Sequence, residues 1–335
     1  MRAYFSLLIL LLFFGCKEDT AGIVKNQTSG PALGTSYNII YLAEERLDLK
    51  SEIDSVFAAV NRSLSTYIPT SDISKINNGD SLVQVDHMFR EVFELSKDIN
   101  KKTGGYFDPT VGTLVNAWGF GPEHKIKLDS AKVDSLLQYV GFDKVSLTSQ
   151  NKIVKQSPNI YFDFNAIAKG YAIDRVAAML DDEGIENYLV EVGGEIVAKG
   201  INKEKGKPWV VGIDDPQMKD GRKLKLLIHL QDRALASSGN YRKFRIDEAT
   251  GKKYVHTIDP ITGYTKDSNT LGVTILADNC ATADAYATAF MAMDLEEAFK
   301  VITANSKLEA YIIYLDESGE TKEFLTQGFR KLVVK

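Results

Sequence analysis

Cysteine is nearly absent from this chain: Cys16 and Cys280 are the only two among 335 residues. With a leader ending before Cys16 set aside, Cys280 has no partner for a disulfide even in an oxidising compartment. It opens an alanine-rich stretch with no histidine nearby, the setting of a packed small side chain and not of a nucleophile. Histidine is also scarce. His87, His124, His229 and His256 are scattered, and none stands in a His-Glu-x-x-His or Cys/His spacing, so no zinc motif is present. Positive charge is in deficit, with 40 Lys and Arg against 45 Asp and Glu and a net charge of −5. No basic block compensates, which argues against nucleic acid as a partner. No apolar run approaches the roughly 20 residues that cross a bilayer.

The one apolar run of note is at the start, where Arg2 precedes Phe5 to Phe14. Its length and flanks are those of a secretory signal. It closes on Leu12-Phe13-Phe14-Gly15-Cys16, which resembles the lipobox of bacterial lipoproteins. Residues 1–15 are then a signal peptide and Cys16 becomes the lipidated N-terminus. Residues 16–30 are polar and aperiodic and read as a tether. Residues 31–335 carry no Pro/Gly-rich break and no repeat, so they are expected to form the folded body.

Periodicity sketches that body. Thr35 to Leu42 reads as a strand, and Leu49, Ile53, Val56, Phe57, Val60 and Leu64 recur at helical spacing. A second helix starts at the N-cap Asp86 and stops at Gly104-Gly105. A short helix is expected from Ser130 to Val140, and a longer one from Ile167 to Leu180. Strands are expected at 145–147, 160–164, 188–192, 209–213, 224–230, 241–246, 254–258 and 271–277. Helices at 282–293 and 295–305 and strands at 309–315 and 331–334 close the chain. The interspersion without strict βαβ alternation predicts an α+β fold with mixed or antiparallel sheets packed with helices.

Several constellations carry chemistry. In Tyr161 to Asp174 a strand ending in Asp163 runs through a turn into a helix opened by Lys169. Free N–H groups and a lysine at a helix start favour an anion such as phosphate. Asp284 and Thr288 are four apart on a helix and share a face, an oxygen pair suited to a hard cation such as Mg²⁺ or simply to solvating a core helix. His256 lies beside Tyr254 and Ile258 on a strand, as a core residue or a functional one. Gly104 to Gly121 concentrates aromatics and glycines as a loop shaped around something flat, or as a turn of core aromatics. Ser65-Thr66-Tyr67 reads as a helix end, and Gly193-Gly194-Glu195 as a strand bulge.

Taken in order, these segments resemble the FAD:protein FMN transferase (ApbE) family. The matching pieces are Leu33 to Tyr37, Ser65 to Tyr67, Phe107 to Gly121, Asp163 to Asp174 and Gly193 to Glu195. Ser237 to Tyr241, His256 to Gly263 and Ala283 to Thr288 complete the series. The resemblance implies an ApbE-like fold and Mg²⁺-dependent transfer of FMN from FAD, as substrate, to a Thr or Ser hydroxyl of a target protein, with release of AMP. It implies flavin contacts from Leu33, Tyr67, Tyr106, Phe107, Asp108, Asp163, Lys169 and His256. A metal position would be formed by the Ala166 carbonyl, Asp284 and Thr288. His256 is the first choice for proton transfer, with Asp284 as its rival. Implied partners are exported or membrane redox subunits of quinone-reductase or Rnf type. The enzyme would be lipid-anchored and face the periplasm, most simply from the inner membrane.

Three positions depart from the commonest family pattern. Leu33 replaces Met, Asn165 replaces Gly, and Thr265 replaces Pro. Asn165 is expected to tolerate a left-handed turn. Two other functions fit the same residues: hydrolysis of FAD to FMN and AMP, and non-enzymatic FAD binding by a lipoprotein.

Overall fold

Alternation along Thr35–Ala43 sends Tyr37, Ile39 and Tyr41 into one core and Ile40 and Leu42 into another, so this strand must be covered on both faces. The computed structural model describes residues 22–123, 125–218, 223–239, 244–246, 253–266 and 268–334. The leader with Cys16, His124 and the expected turn at 247–251 lie outside them.

The chain begins with a hairpin of β1 (Val24–Ala32) and β2 (Thr35–Ala43), followed by α1 (Lys50–Leu64), α2 (Asp72–Asn77) and α3 (His87–Lys102). Next come α4 (Gly112–Trp118), α5 (Ser130–Leu137), a small ribbon of β3 (Val145–Leu147) and β4 (Ile153–Lys155), and α6 (Ala168–Asp182). β5 (Asn187–Val192) and β6 (Glu195–Lys199) form a second hairpin, and β7 (Trp209–Asp214) and β8 (Leu224–Leu230) form a ribbon. β9 (Arg233–Gly239), the pair β10 (Phe244–Ile246) and β11 (Lys253–Val255), and β12 (Thr270–Ala277) follow. The chain ends with α7 (Cys280–Ala292), α8 (Leu295–Ala304), β13 (Glu309–Leu315), β14 (Thr321–Leu325) and α9 (Gln327–Leu332).

One antiparallel sheet in the order β1-β2-β5-β6-β9-β12-β13-β14 organises the fold. Helices α1, α3, α6 and α7 cover one face over the main core, and β7, β8 and α9 cover the other. α4 and α5 share a small satellite core with Ile258. α7 is the central helix: nearly every residue is buried, and its alanines allow close approach to β9, β12 and α6. Side-chain caps mark several helix starts as the sequence signals suggest, with Asp86 accepting from the Phe89 N–H and Asn279 from the Thr282 N–H.

Five expectations are corrected. Residues 24–30 are not tether but most of β1, paired along its length with β2. This polar strand is half-exposed at the sheet edge, where alternation is hard to detect. Residues 160–164 form no ladder strand: the Asn77 amide donates to the Phe162 carbonyl and accepts its N–H at 2.8 Å each, while the Asp163 N–H donates to the Pro109 carbonyl. A side chain thus stands in for a neighbouring strand. The 104–121 segment contains the helix α4 inside the expected loop. The expected strand at 331–334 is the end of α9 followed by a single bridge from Val333 to Ile228. Gly193-Gly194 is a hairpin turn, not a bulge, with φ of 61° and 106°.

Gly170 sets the spacing of the central helices. A Cβ there would stand 2.6 Å from the Cys280 carbonyl carbon and 2.8 Å from the Ala281 nitrogen, both backbone atoms that cannot swing aside. Gly170→Ala is therefore expected to lower stability by about 1–3 kcal/mol, the range of overpacking, despite alanine's better helix propensity. Urea unfolding checks this, and an unchanged or raised midpoint would refute it.

Candidate functional site

At the contact of α6 with α7, each helix start meets a carboxylate of the other. Asp174 on α6 accepts the Cys280 N–H at 2.7 Å and the Ala281 N–H at 2.8 Å. Asp284 on α7 accepts the Gly170 N–H at 3.1 Å. These donors belong to the group that a helix start leaves unpaired, and a negative charge there also suits the dipole. Burial pushes both carboxyls up to about 7. For Asp284 the nearby Glu195 charge adds to burial, while Lys169 and the Gly170 N–H oppose it.

Ala166 lies two residues before α6, in the turn that leads into the helix, so its carbonyl is not part of the α6 hydrogen-bond ladder. Thr288, one turn beyond Asp284, is half-buried, with its Oγ1 3.4 Å from Ser238 Oγ at the end of β9. Lys169 forms an ion pair of 2.8 Å with Glu195, which is 4% exposed at the start of β6. Burial works against the ammonium, but the carboxylates of Glu195 and Asp284 outweigh it and raise the Lys169 pKa, so the lysine stays charged.

Asp163 is half-buried, and its Oδ1 accepts the Asn165 N–H at 2.8 Å, shaping the turn that carries Ala166. Asn165 does not take the expected left-handed conformation; Leu33 does, at φ 51°, beside Gly34 at 75°. Two positive φ values suit a two-residue hairpin loop, but they are unusual for leucine, and such strain gathers at functional sites. The β5–β6 turn packs against this loop, since a Cβ on Gly193 would stand 2.7 Å from Thr35 Cγ2.

The aromatic candidates divide. Tyr67 is 59% exposed and feels the charge of Asp163. Tyr106 is half-buried, with the Lys266 ammonium 6.0 Å from its ring centre, and burial with Glu297 pushes its hydroxyl up to about 12. Phe107 is buried in the main core. The Asp108 side chain turns inward: it accepts from the Thr110 N–H and hydroxyl, the Phe142 N–H and the Asn100 amide. Burial raises the Asp108 pKa against these bonds. Phe107 and Asp108 therefore shape the loop from inside with their side chains.

His256 is half-buried in a bend just past β11, not on a strand with Ile258. Its loop is built by Asp259, whose Oδ1 accepts the Ile261 N–H at 2.8 Å, and by Trp118, whose Nε1 donates to the Gly263 carbonyl at 2.9 Å. Lys266 lies 3.8 Å from Asp259 Oδ2, so this loop adjoins Tyr106. The fold thus gathers Lys169, Asp284, Thr288 and the Ala166 turn at the helix junction, and joins Tyr67 to Asp163 and the His256 loop to Tyr106. Sequence reading passed over Asp174, Glu195 and Ser238 as functional side chains, although each lies within a segment already singled out. Cys280 is buried and free, as expected.

Among the described residues no three His, Cys, Asp or Glu side chains converge as a metal site. The oxygen set of one carboxylate, one hydroxyl and one carbonyl suits Mg²⁺, which keeps waters and substrate phosphates as its remaining ligands. A buried carboxylate beside a second carboxylate also fits a site that receives a cation.

The raised carboxyls make stability pH-dependent. Unfolded, Asp titrates near about 3.9; folded, Asp174 and Asp284 titrate at about 7. Their contribution is full below about pH 4 and is lost as pH rises through about 7, because there the folded chain holds protons that the unfolded chain has released. In metal-free buffer Asp284→Asn is expected to flatten the decline of the thermal midpoint between about pH 5 and about pH 8. Equal slopes for variant and parent would count against the shift.

Comparison with known proteins places this geometry in a family. The model of the ApbE family matches residues 33–312. The FAD:protein FMN transferase of Vibrio cholerae is 35% identical over 334 residues, 97% of each chain. That of Escherichia coli K12 is 31% identical over 339 residues, covering 97% of this chain and 95% of the relative. The solved flavin transferase ApbE from Vibrio cholerae superposes with a TM-score of 0.81 at 34% identity, covering 92% of this chain and 99% of that one. The apo flavinyl transferase ApbE of Pseudomonas stutzeri gives 0.81 at 26% identity, covering 92% and 97%. The α+β fold is thus shared with these solved structures, and the chain belongs to the ApbE family.

Proposed function

We propose that this chain transfers FMN from FAD to a Thr or Ser hydroxyl of a target protein and releases AMP. The observation that carries this reading is the α6–α7 junction. There the charged Lys169 and the buried carboxylate of Asp284 meet at the start of α6, with the Ala166 turn just before that helix and the Thr288 hydroxyl one turn along α7. Lys169 holds the diphosphate of FAD from the helix start. Leu33, Tyr67 and Tyr106 supply apolar and stacking surface for the flavin, and Phe107 and Asp108 hold that loop in shape. Asp163 fixes the turn that presents Ala166.

Asp284, Thr288 and the Ala166 carbonyl would hold Mg²⁺. Bound there, the ion neutralises charge that develops on the phosphate oxygens. In the transfer the acceptor oxygen bonds to the FMN-side phosphorus, the bond from that phosphorus to the bridging oxygen breaks, and AMP leaves. His256 takes the hydroxyl proton. Asp284 already accepts the Gly170 N–H, which suits a ligand better than a base.

The reading extends to location and partners. Cys16 is lipidated after removal of residues 1–15, and the body faces the periplasm beside exported or membrane redox subunits that carry the acceptor hydroxyl. Among the described residues no helix is long and apolar enough to cross a membrane.

Incubation with FAD, Mg²⁺ and a candidate acceptor domain, followed by intact mass, tests the reaction. A gain of one FMN on the acceptor supports transfer, free FMN and AMP without adduct mean hydrolysis, and unchanged FAD means binding alone. Asp284→Ala is expected to abolish Mg²⁺-dependent transfer, and wild-type turnover would remove the metal assignment. Lys169→Met is expected to raise KM for FAD about 10- to 100-fold, the scale of a charged hydrogen bond worth about 1.5–3 kcal/mol. An unaltered KM would free Lys169 from that role.

A further inference from the structure

The β7–β8 ribbon is apolar on its inner face and carries an exposed apolar strip beside the half-buried His229 on its outer face. Trp209, Val211, Ile213, Ile228 and Leu230 point inward and fill the second core. A ribbon covering a sheet should show polar residues on its outer side. Here the outward positions include Val210, 47% exposed, Leu224, 50%, and Leu227, 40%. They are contiguous. Gly212 pairs in register with Leu227, and a Cβ on Gly212 would stand 2.6 Å from Leu224 Cδ2, so Leu224 lies across that glycine. Val210 is two residues from Gly212 on the same strand face.

The tether exit lies at one end of this ribbon. Val24 at the start of β1 pairs with Ala43, Leu42 pairs with Asn187, and Tyr188 pairs with Lys199, so these residues form a row across one end of the sheet. The Trp209 indole donates to the Lys199 carbonyl at 3.0 Å, so β7 starts from the same row. The loop between them carries the exposed Lys205 and Lys207, along with Glu204, and Lys223 is exposed at the far end of the ribbon. Because β1 begins at Val24, only seven peptide steps separate Cys16 from Ile23, and these reach at most about 25 Å. Ile23 itself packs at the margin of the second core.

We propose that the outer face of the β7–β8 ribbon rests on the lipid bilayer to which Cys16 is anchored. The short reach holds that end of the sheet at the membrane, and the apolar strip provides the contact, with lysines at its ends suited to anionic headgroups. The helix face, with the α6–α7 junction, is then turned away from the lipid. The Leu33–Gly34 loop also stands about 30 Å from the tether exit, the length of the nine-residue β1. The surface rests on the lipid-anchor reading of Cys16.

The full chain, expressed with its leader and reconstituted in phosphatidylethanolamine–phosphatidylglycerol vesicles, tests both statements separately. Intact mass first reports the anchor: a mature chain beginning at Cys16 without acyl groups overturns the anchor and the surface with it. With the lipid present, nitroxides are placed at Val210→Cys, Leu224→Cys or Leu227→Cys, and at Leu82→Cys as an exposed control. Collision with a water-borne nickel reagent is expected to be at least about threefold lower at the ribbon positions than at the control, as apolar insertion requires. Equal collision at all four overturns the surface while leaving the anchor intact. Protection accompanied by dipolar broadening between labels would identify a second copy of the chain as the occupant and likewise overturn the proposal. Each label is first checked for an unchanged thermal midpoint.

Discussion

The reciprocal capping of α6 and α7 is the constraint on which the site depends. Each helix start presents unpaired N–H groups, and each receives a carboxylate from the other helix. The two backbones approach closely because Gly170 has no side chain. From this one contact follow the approach of Asp284 to the start of α6 beside Lys169 and the position of the Ala166 turn just before it. Alanines on α7 serve the same end, since larger side chains would force the helices apart.

Electrostatics makes this arrangement costly without a ligand. Glu195 and Asp284 set two carboxylates around one ammonium in a largely desolvated place. Buried charges of this kind contribute little to stability by themselves, because desolvation offsets their attraction. The excess negative charge is of the kind that a divalent cation at the proposed metal position would offset. Strain at Leu33 belongs to the same pattern, being concentrated at the sheet end where the β1–β2 and β5–β6 loops touch.

Legibility varied with the physical origin of each element. The helices containing Phe57, Phe89 and Ile173 were readable because each buries one periodic face, and the second also carries a side-chain cap at Asp86. β1 was not, because a polar edge strand has no buried face to advertise. The segment around Phe162 has strand-like residues, but its backbone pairs with an asparagine 85 positions away, which propensity does not register. α4 was hidden by its glycines, one of which is required for close approach to Tyr161, where a Cβ would lie 2.6 Å from the carbonyl oxygen. The inward turn of the Asp108 side chain was not legible either, since its four donors come from three separate segments.

The amino-acid sequence alone determined the scarcity of cysteine and histidine, the common helical face of Asp284 and Thr288, and the ordered motifs that mark the family. Those properties follow from composition, local periodicity and residue order. Only the tertiary structure decided that Gly170 donates to Asp284, that Glu195 holds Lys169, that Asp108 faces inward and that the polar segment before Pro31 is a strand. Hydrogen bonds and ion pairs between residues tens to over a hundred positions apart depend on which backbones can approach. That is a property of packing, which local sequence does not encode.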